Sequence, residues 1–199
     1  MDNSAQIRAA ATKLFATHGY EGVSLQAIAD EVGVAKQTLL YHYPSKDLLH
    51  RAVIENVFEH WRSTLPQILQ AVTSGKRRFT ALTEELIRFF AQDRDRARLL
   101  ARQVLDDPEG TQRLMGANLR PWLLLVAEYI REGQKIGLVH KDVDAEVFVL
   151  HVIVLVVSNV AVLSTISAVM ATDEKQKAAL EQRYMAELVR LTRTALFTR

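Results

Sequence analysis

Residues 24–46, SLQAIADEVGVAKQTLLYHYPSK, decide the fold. Leu25, Ile28, Ala29 and Val32 recur at i, i+3, i+4 and i+7, which is one face of a short helix with Ser24 as its N-cap. Gly33 can take the left-handed conformation that closes a helix, and Val34 after it can turn back into a core. A second helix is predicted from about Ala35 to Tyr43, because Pro44 drives the residue before it out of the helical region. Two short helices joined around a glycine form a helix-turn-helix unit, whose second helix enters the major groove of DNA.

On that second helix Lys36, Gln37 and Thr38 occupy the N-terminal end, from which base edges are read. Lysine can donate to guanine, glutamine can bond adenine bidentately, and the threonine methyl can touch the thymine methyl. Tyr41 and His42 follow with polar tips suited to phosphate oxygens, and Ser24 joins the same DNA-facing set. Leu39 is expected to pack inward. Ser45 can cap the next helix, with Lys46 in its first turn placed for a charge-assisted phosphate contact.

Upstream, residues 3–18 read as a helix with Ile7, Ala10, Ala11, Leu14 and Phe15 on one face. It supplies the core that so short a hairpin lacks. Downstream, a helix from Ser45 carries Leu48, Leu49, Val53, Val57, Phe58 and Trp61. Pro66 is expected to kink or end it, and Thr73-Ser74-Gly75 to close the segment. Helices are predicted over about 76–92 and 93–106, with a break at 107–110, DPEG. A helix with Leu114 and Met115 follows, then one from Pro121 to Gly137, and no hairpin-bounded strand pattern appears.

The longer stretch 19–49, GYEGVSLQAIADEVGVAKQTLLYHYPSKDLL, resembles the DNA-binding signature of the TetR family of one-component bacterial repressors. The resemblance spans about residues 5–55. It is carried by LFATHGY at 14–20, the Ile28-Ala29 pair, Gly33-Val34 at the turn, and TLLYHYPSK at 38–46. Val23 and Leu40 stand where the family has a threonine and a tyrosine, so two hydroxyls that would face phosphate are missing. The resemblance implies a repressor that binds a small effector among the helices following its DNA-binding head.

Composition frames these readings. The 199 residues are 49% hydrophobic with no cysteine, which excludes a disulfide framework and thiolate zinc sites and suits a reducing cytoplasm. Arg8 and Lys13 interrupt any apolar N-terminal run, so no signal peptide is expected. Net charge is +2, yet residues 1–60 hold five lysines or arginines against seven acids, a net of −2. Bulk charge thus argues against nucleic acid, and the DNA-binding reading rests on where Lys36 and Lys46 stand and on helix N-termini. The histidines at 18, 42, 50, 60, 140 and 151 include no pair at metal-ligand spacing. Phosphate-binding glycine loops and nucleophile elbows are absent too, so neither a cofactor nor a metal is expected and the chain does not read as an enzyme. Glu84-Glu85 and Asp106-Asp107 read as solvated faces.

Residues 147–172 contain no Lys, Arg, Asp or Glu in 26 positions, long enough to span a membrane. His151, Ser158, Asn159, Ser164, Thr165 and Ser167, and the lack of Trp or Tyr at either end, favour a helix buried in a bundle. The last helix aligns Leu180, Tyr184, Leu188, Leu191 and Ala195 in a seam. With Leu155 and Val162 these residues are predicted to form a homodimer interface. For an effector, Phe58, Trp61, Phe89, Phe90, Trp122, Val126 and Tyr129 are candidate walls, and Arg102, Gln103, His151 and Asn159 candidate polar groups. The expected architecture is all-α with about nine helices: a three-helix helix-turn-helix head at 1–47 and a helical ligand-binding and dimerisation body at 48–199. The corresponding function is a cytoplasmic regulator, a repressor released from a palindromic operator by a small apolar or amphipathic effector. A helical protein embedded in a membrane through 147–172, or an enzyme without a recognisable motif, are the alternatives.

Overall fold

The apolar periodicities become helices wherever the computed structural model describes the chain, at residues 3–71 and 75–198. Among these there are ten helices, one more than expected, and no strand. The head comprises α1 (Asn3–His18), α2 (Leu25–Val32) and α3 (Lys36–His42), and α4 (Lys46–Ala71) leads out of it. The body adds α5 (Gly75–Gln92), α6 (Arg94–Asp106), α7 (Pro108–Asn118), α8 (Arg120–Lys135), α9 (Ala145–Met170) and α10 (Glu174–Leu196). Ile7, Phe15, Ile28, Leu39, Leu49 and Val53 close the head core, which runs without interruption into Phe58, Phe90, Leu99, Val156 and Leu188 of the body. A second core gathers Phe79, Ile130, Val149 and Leu196 at the far end of the body.

Local chemistry sets the boundaries. Ser24 caps α2 by accepting from the Ala27 amide at 3.0 Å, and Gly33 closes it at φ 78°, where a Cβ would be strained. Ser45 accepts from the Leu48 amide at 3.2 Å. Asp93, Asp107, Asp144 and Asp173 cap α6, α7, α9 and α10 in the same manner.

Four expectations are corrected. Of the two outcomes expected at Pro66, the end of α4 does not occur: the helix continues to Ala71, with Leu65 and Leu69 on either side both buried and holding it across the lost hydrogen bond. The break at 107–110 shrinks to Asp107: Pro108 occupies the first turn of α7, where it has no amide to lose, and Asp107 accepts from the Gly110 amide at 2.9 Å. Gly75 opens α5 rather than closing the preceding segment, and Thr73 and Ser74 lie outside the described residues. Glu85 is 8% exposed, not solvated, and faces His60 Nε2 at 3.2 Å, with Arg88 as a second partner.

Helix α9 is apolar on every side, and its window of mean hydropathy 2.5 would suffice for a membrane span by length and composition. It packs instead against α5, α6, α8 and α10 through Val149, Val152, Val156, Val160 and Leu163. One stripe remains uncovered, with Val147, Leu150, Val154, Val162, Ile166 and Val169 exposed.

Candidate nucleic-acid interface and body cavity

The seven residues of α3 are too few to hold a helix alone, so its inner face must be fixed by contacts. Leu39 is fully buried. Tyr43, just past the helix, is buried and its hydroxyl meets Arg8 Nη1 and Ser4 Oγ, each at 2.8 Å. That places the opposite face outward: Lys36 and Gln37 are exposed, Thr38 and His42 half-exposed, and Tyr41 is 84% exposed. An apolar-bodied side chain so exposed on a helix surface fits a partner-facing role. Ser24 spends its acceptor on the cap, and its hydroxyl proton remains available on the exposed side.

Lys46 is positioned by its neighbours. Its Nζ lies 4.1 Å from the centroid of the Tyr20 ring, a cation–π contact, and the Tyr20 hydroxyl donates to Asp47 Oδ1. Burial, followed by that hydrogen bond, pushes Tyr20 up to about 12, so it stays a neutral platform for the lysine. His50 meets the rings of Phe15 and Tyr20 edge-on at 4.9 Å, and burial lowers its pKa despite Asp47, Asp106 and Asp107 nearby. Tyr20 as a platform and Tyr43 as a pin went unnoticed in the sequence. Their partners are 27 and 39 residues away, beyond the reach of any periodicity.

The head is tied to the body by more than α4. Arg94, Arg98 and Arg102 follow one another every fourth residue on one side of α6. Arg94 pairs with Glu181 of α10 at 2.5 Å, Arg98 Nε donates to the Ala161 carbonyl of α9 at 3.4 Å, and Arg102 donates to the Ala16 and Thr17 carbonyls of α1 at 3.0 and 3.2 Å. Arg102 thereby satisfies carbonyls that a helix C-terminus leaves without partners. Gly19, at φ 74°, leaves room for it: a Cβ there would come 3.2 Å from Arg102 Nη1.

The residues expected to hold an effector fall into several groups. Phe58, Trp61, Phe89 and Phe90 are buried in a closed aromatic cluster, with His60 stacked on Phe89 at 4.1 Å and Trp61 edge-on to Phe89 at 5.3 Å. Arg102 is engaged on α1, Gln103 is buried and donates to Asp107 Oδ2 at 3.2 Å, and Trp122 is half-buried against the core. His151 is exposed, and Asn159 accepts from the Tyr184 hydroxyl of α10 at 2.5 Å. Val126 and Tyr129 line a cavity of about 300 Å³ among the described residues, which opens between α5, α8 and the C-terminal end of the chain. The interface candidates divide as well. Val162 and Leu191 are about half exposed and Tyr184 is exposed, whereas Leu155 and Leu180 are half-buried and Leu188, 5% exposed, belongs to the protomer core.

This combination of a short outward helix pinned on a three-helix head, joined to a helical body, defines a helix-turn-helix protein. Residues 7–53 match the family described as "Bacterial regulatory proteins, tetR family". Among curated relatives, the HTH-type transcriptional activator FasR of Mycolicibacterium smegmatis is 32% identical over 95 residues, 48% of this chain. That match spans 43% of FasR, less than half of its length. Among solved structures, a putative fatty acid metabolism regulator from Clostridium perfringens superposes with a TM-score of 0.75 at 18% identity, covering 98% of this chain and 100% of that one. FadR of Bacillus subtilis in complex with stearoyl-CoA gives 0.67 at 17% identity, over 93% and 97%. These two likenesses establish that the fold extends over the body.

Proposed function

We propose that this protein is a cytoplasmic transcriptional repressor that binds a palindromic operator as a homodimer and is released by a small apolar or amphipathic effector. Residues 1–47 act as the DNA-binding head and 48–199 as the effector-binding and dimerisation body. The observation that carries the reading is the outward face of α3, where Lys36, Gln37 and Tyr41 are exposed while Leu39 and Tyr43 anchor the helix from behind. With a net charge of −2 over residues 1–60, one head gains little from phosphate attraction. Two heads on a two-fold dimer, reading half-sites about 34 Å or a multiple apart, supply the missing contacts. The uncovered stripe of α9 supports that dimer. Its other sides are already packed, so it needs a single apolar partner surface rather than surrounding lipid. The likeness to FadR, solved in complex with stearoyl-CoA, supports a small-molecule effector.

The test is to incubate purified protein with fragmented genomic DNA and sequence what it retains. Enrichment of one palindromic sequence, with sedimentation as a dimer, is expected. Retention independent of sequence, or monomers that bind as tightly, would overturn the reading.

A further inference from the structure

Two of the five lysines and arginines in residues 1–60 are matched by acids: Lys13 Nζ lies 2.7 Å from Glu31 Oε1, and Arg51 Nε 2.8 Å from Glu55 Oε1. Lys36 and Lys46, placed above at the DNA, form no ion pair among the described residues. Neither does Arg8, although the same stretch holds seven acids. Arg8 is half-buried, and its partners are hydroxyls: Nη1 donates to Ser4 Oγ at 2.7 Å and to the Tyr43 hydroxyl at 2.8 Å, and those two oxygens meet each other at 2.8 Å. The hydroxyls orient the guanidinium and leave its charge unneutralised.

Both hydroxyls take the same nitrogen. Nε–H and Nη2–H, which point the same way and form the fork that matches two phosphate oxygens, donate to nothing among the described residues. A guanidinium already held at one corner loses little freedom when that fork is engaged. Its place is set by Tyr43, which follows α3 directly and stands between His42 and Lys46. The hydroxyl that grips Arg8 therefore belongs to the turn carrying two phosphate candidates. At the other end of α1, Ala16 and Thr17 are held by Arg102 of the body, and Arg8 lies about 12 Å along the helix from that tie, at about 1.5 Å per residue.

We propose that Arg8 is a DNA-contacting residue of each head in addition to Lys36 and Lys46, its Nε–Nη2 edge taking one backbone phosphate bidentately, with Tyr43 and Ser4 as the residues that position it. Such a contact adds affinity and has no part in base choice. The inference rests on the DNA-binding reading above.

Fluorescence anisotropy of the full chain with a random-sequence duplex about three helical turns long, titrated between about 50 and 200 mM salt, tests it. Each phosphate neutralised contributes about 0.9 to the slope of log affinity against log salt. Arg8→Met should therefore lower the slope by about 1 per protomer and weaken binding about fivefold per protomer at about 0.15 M salt. Arg8→Gln, which keeps an amide donor and loses the charge, is expected to lose the same slope. Arg8→Lys should keep the wild-type slope with reduced affinity, because a point charge replaces the fork. Tyr43→Phe, which keeps the ring in the core and removes the hydroxyl, should also keep the slope. An arginine that only pins α3 predicts the opposite pattern: Arg8→Met and Tyr43→Phe weaken binding alike, each at the wild-type slope, and that result overturns the assignment. Arg8→Met and Arg8→Gln proteins that match the wild type in slope overturn it too, while leaving the DNA-binding reading intact. A wild-type protein that binds neither this duplex nor any retained genomic fragment removes that reading and the inference together.

Discussion

Replacing Arg102 by methionine isolates the second tie between head and body. Methionine keeps the apolar stem that lies along α6 and removes the donors that reach the Ala16 and Thr17 carbonyls at 3.0 and 3.2 Å. Those carbonyls end α1, where no intrahelical amide remains for them. A hydrogen bond from a charged donor contributes about 1.5–3 kcal/mol when sheltered. The Arg102 side chain is largely exposed, and freed carbonyls on that side can turn to water, so about 1 kcal/mol for the pair is the better figure. For a chain of this length that lowers the melting midpoint by about 2–4 °C. The larger effect should fall on DNA. With Arg94 on Glu181 and Arg98 on Ala161, α6 fixes α1 relative to α9 and α10, and in the proposed dimer this sets where each head stands. Releasing its head end lets the spacing of two recognition helices drift, and operator affinity should fall about tenfold, within the range of coupling energies between linked sites. Arg102→Lys should recover part of it, since a lysine reaches as a point charge without the fork. Melting by circular dichroism and operator retardation on the same preparations decide the matter. A variant that matches the wild type in both would mean that α4 alone links head to body.

Three further outcomes are expected. Val154→Asp on the uncovered stripe of α9, 62% exposed, should give folded monomers on sedimentation. Leu188→Asp should instead lower the melting midpoint sharply by burying a charge, and a stable monomeric Leu188→Asp protein would refute that placement. Because burial lowers the pKa of His50 below its ordinary 6.5, the unfolded chain binds the proton more readily. The contribution of His50 to stability is therefore complete above about pH 6.5 and lost as pH falls through its lowered folded value. His50→Phe should melt with a flatter pH dependence below 6.5 than the wild type, and parallel curves would remove His50 from the account. On DNA, Lys46→Ala should weaken all sequences alike and reduce the salt slope by about 1 per protomer, whereas Gln37→Ala should relax preference at one base pair of each half-site. Retained specificity in the glutamine variant would place base reading elsewhere on α3.

Much of the head was legible because its signals are local. Ser24, Gly33, Ser45 and the i, i+3, i+4 spacing of Leu25, Ile28 and Ala29 act within one or two turns of themselves, and caps and turns obey the same chemistry in any fold. Pro66 misled for a related reason. A proline removes one hydrogen bond wherever it stands, but whether the helix then ends depends on Leu65 and Leu69 being buried by other helices. Residue type identified Phe58, Trp61, Phe89 and Phe90 as aromatic and apolar without distinguishing a filled core from an open wall, since both bury the same surface. Glu85 looked solvated beside Glu84 because adjacent helical residues point about 100° apart, and only the arrival of His60 from α4 decides which of the two is covered. The cavity depends on Leu196 and Phe197 returning to residues 137–140, a contact across nearly sixty positions. The Leu180–Leu191 seam on α10 was read as apolar and assigned as one surface, yet α10 packs against α9 and α5 with Leu188 in the core and Leu191 left out. Periodicity tells which side of a helix is apolar. Which neighbour covers that side, this chain or a second copy, is set by how the helices share two cores, and no single segment contains that information.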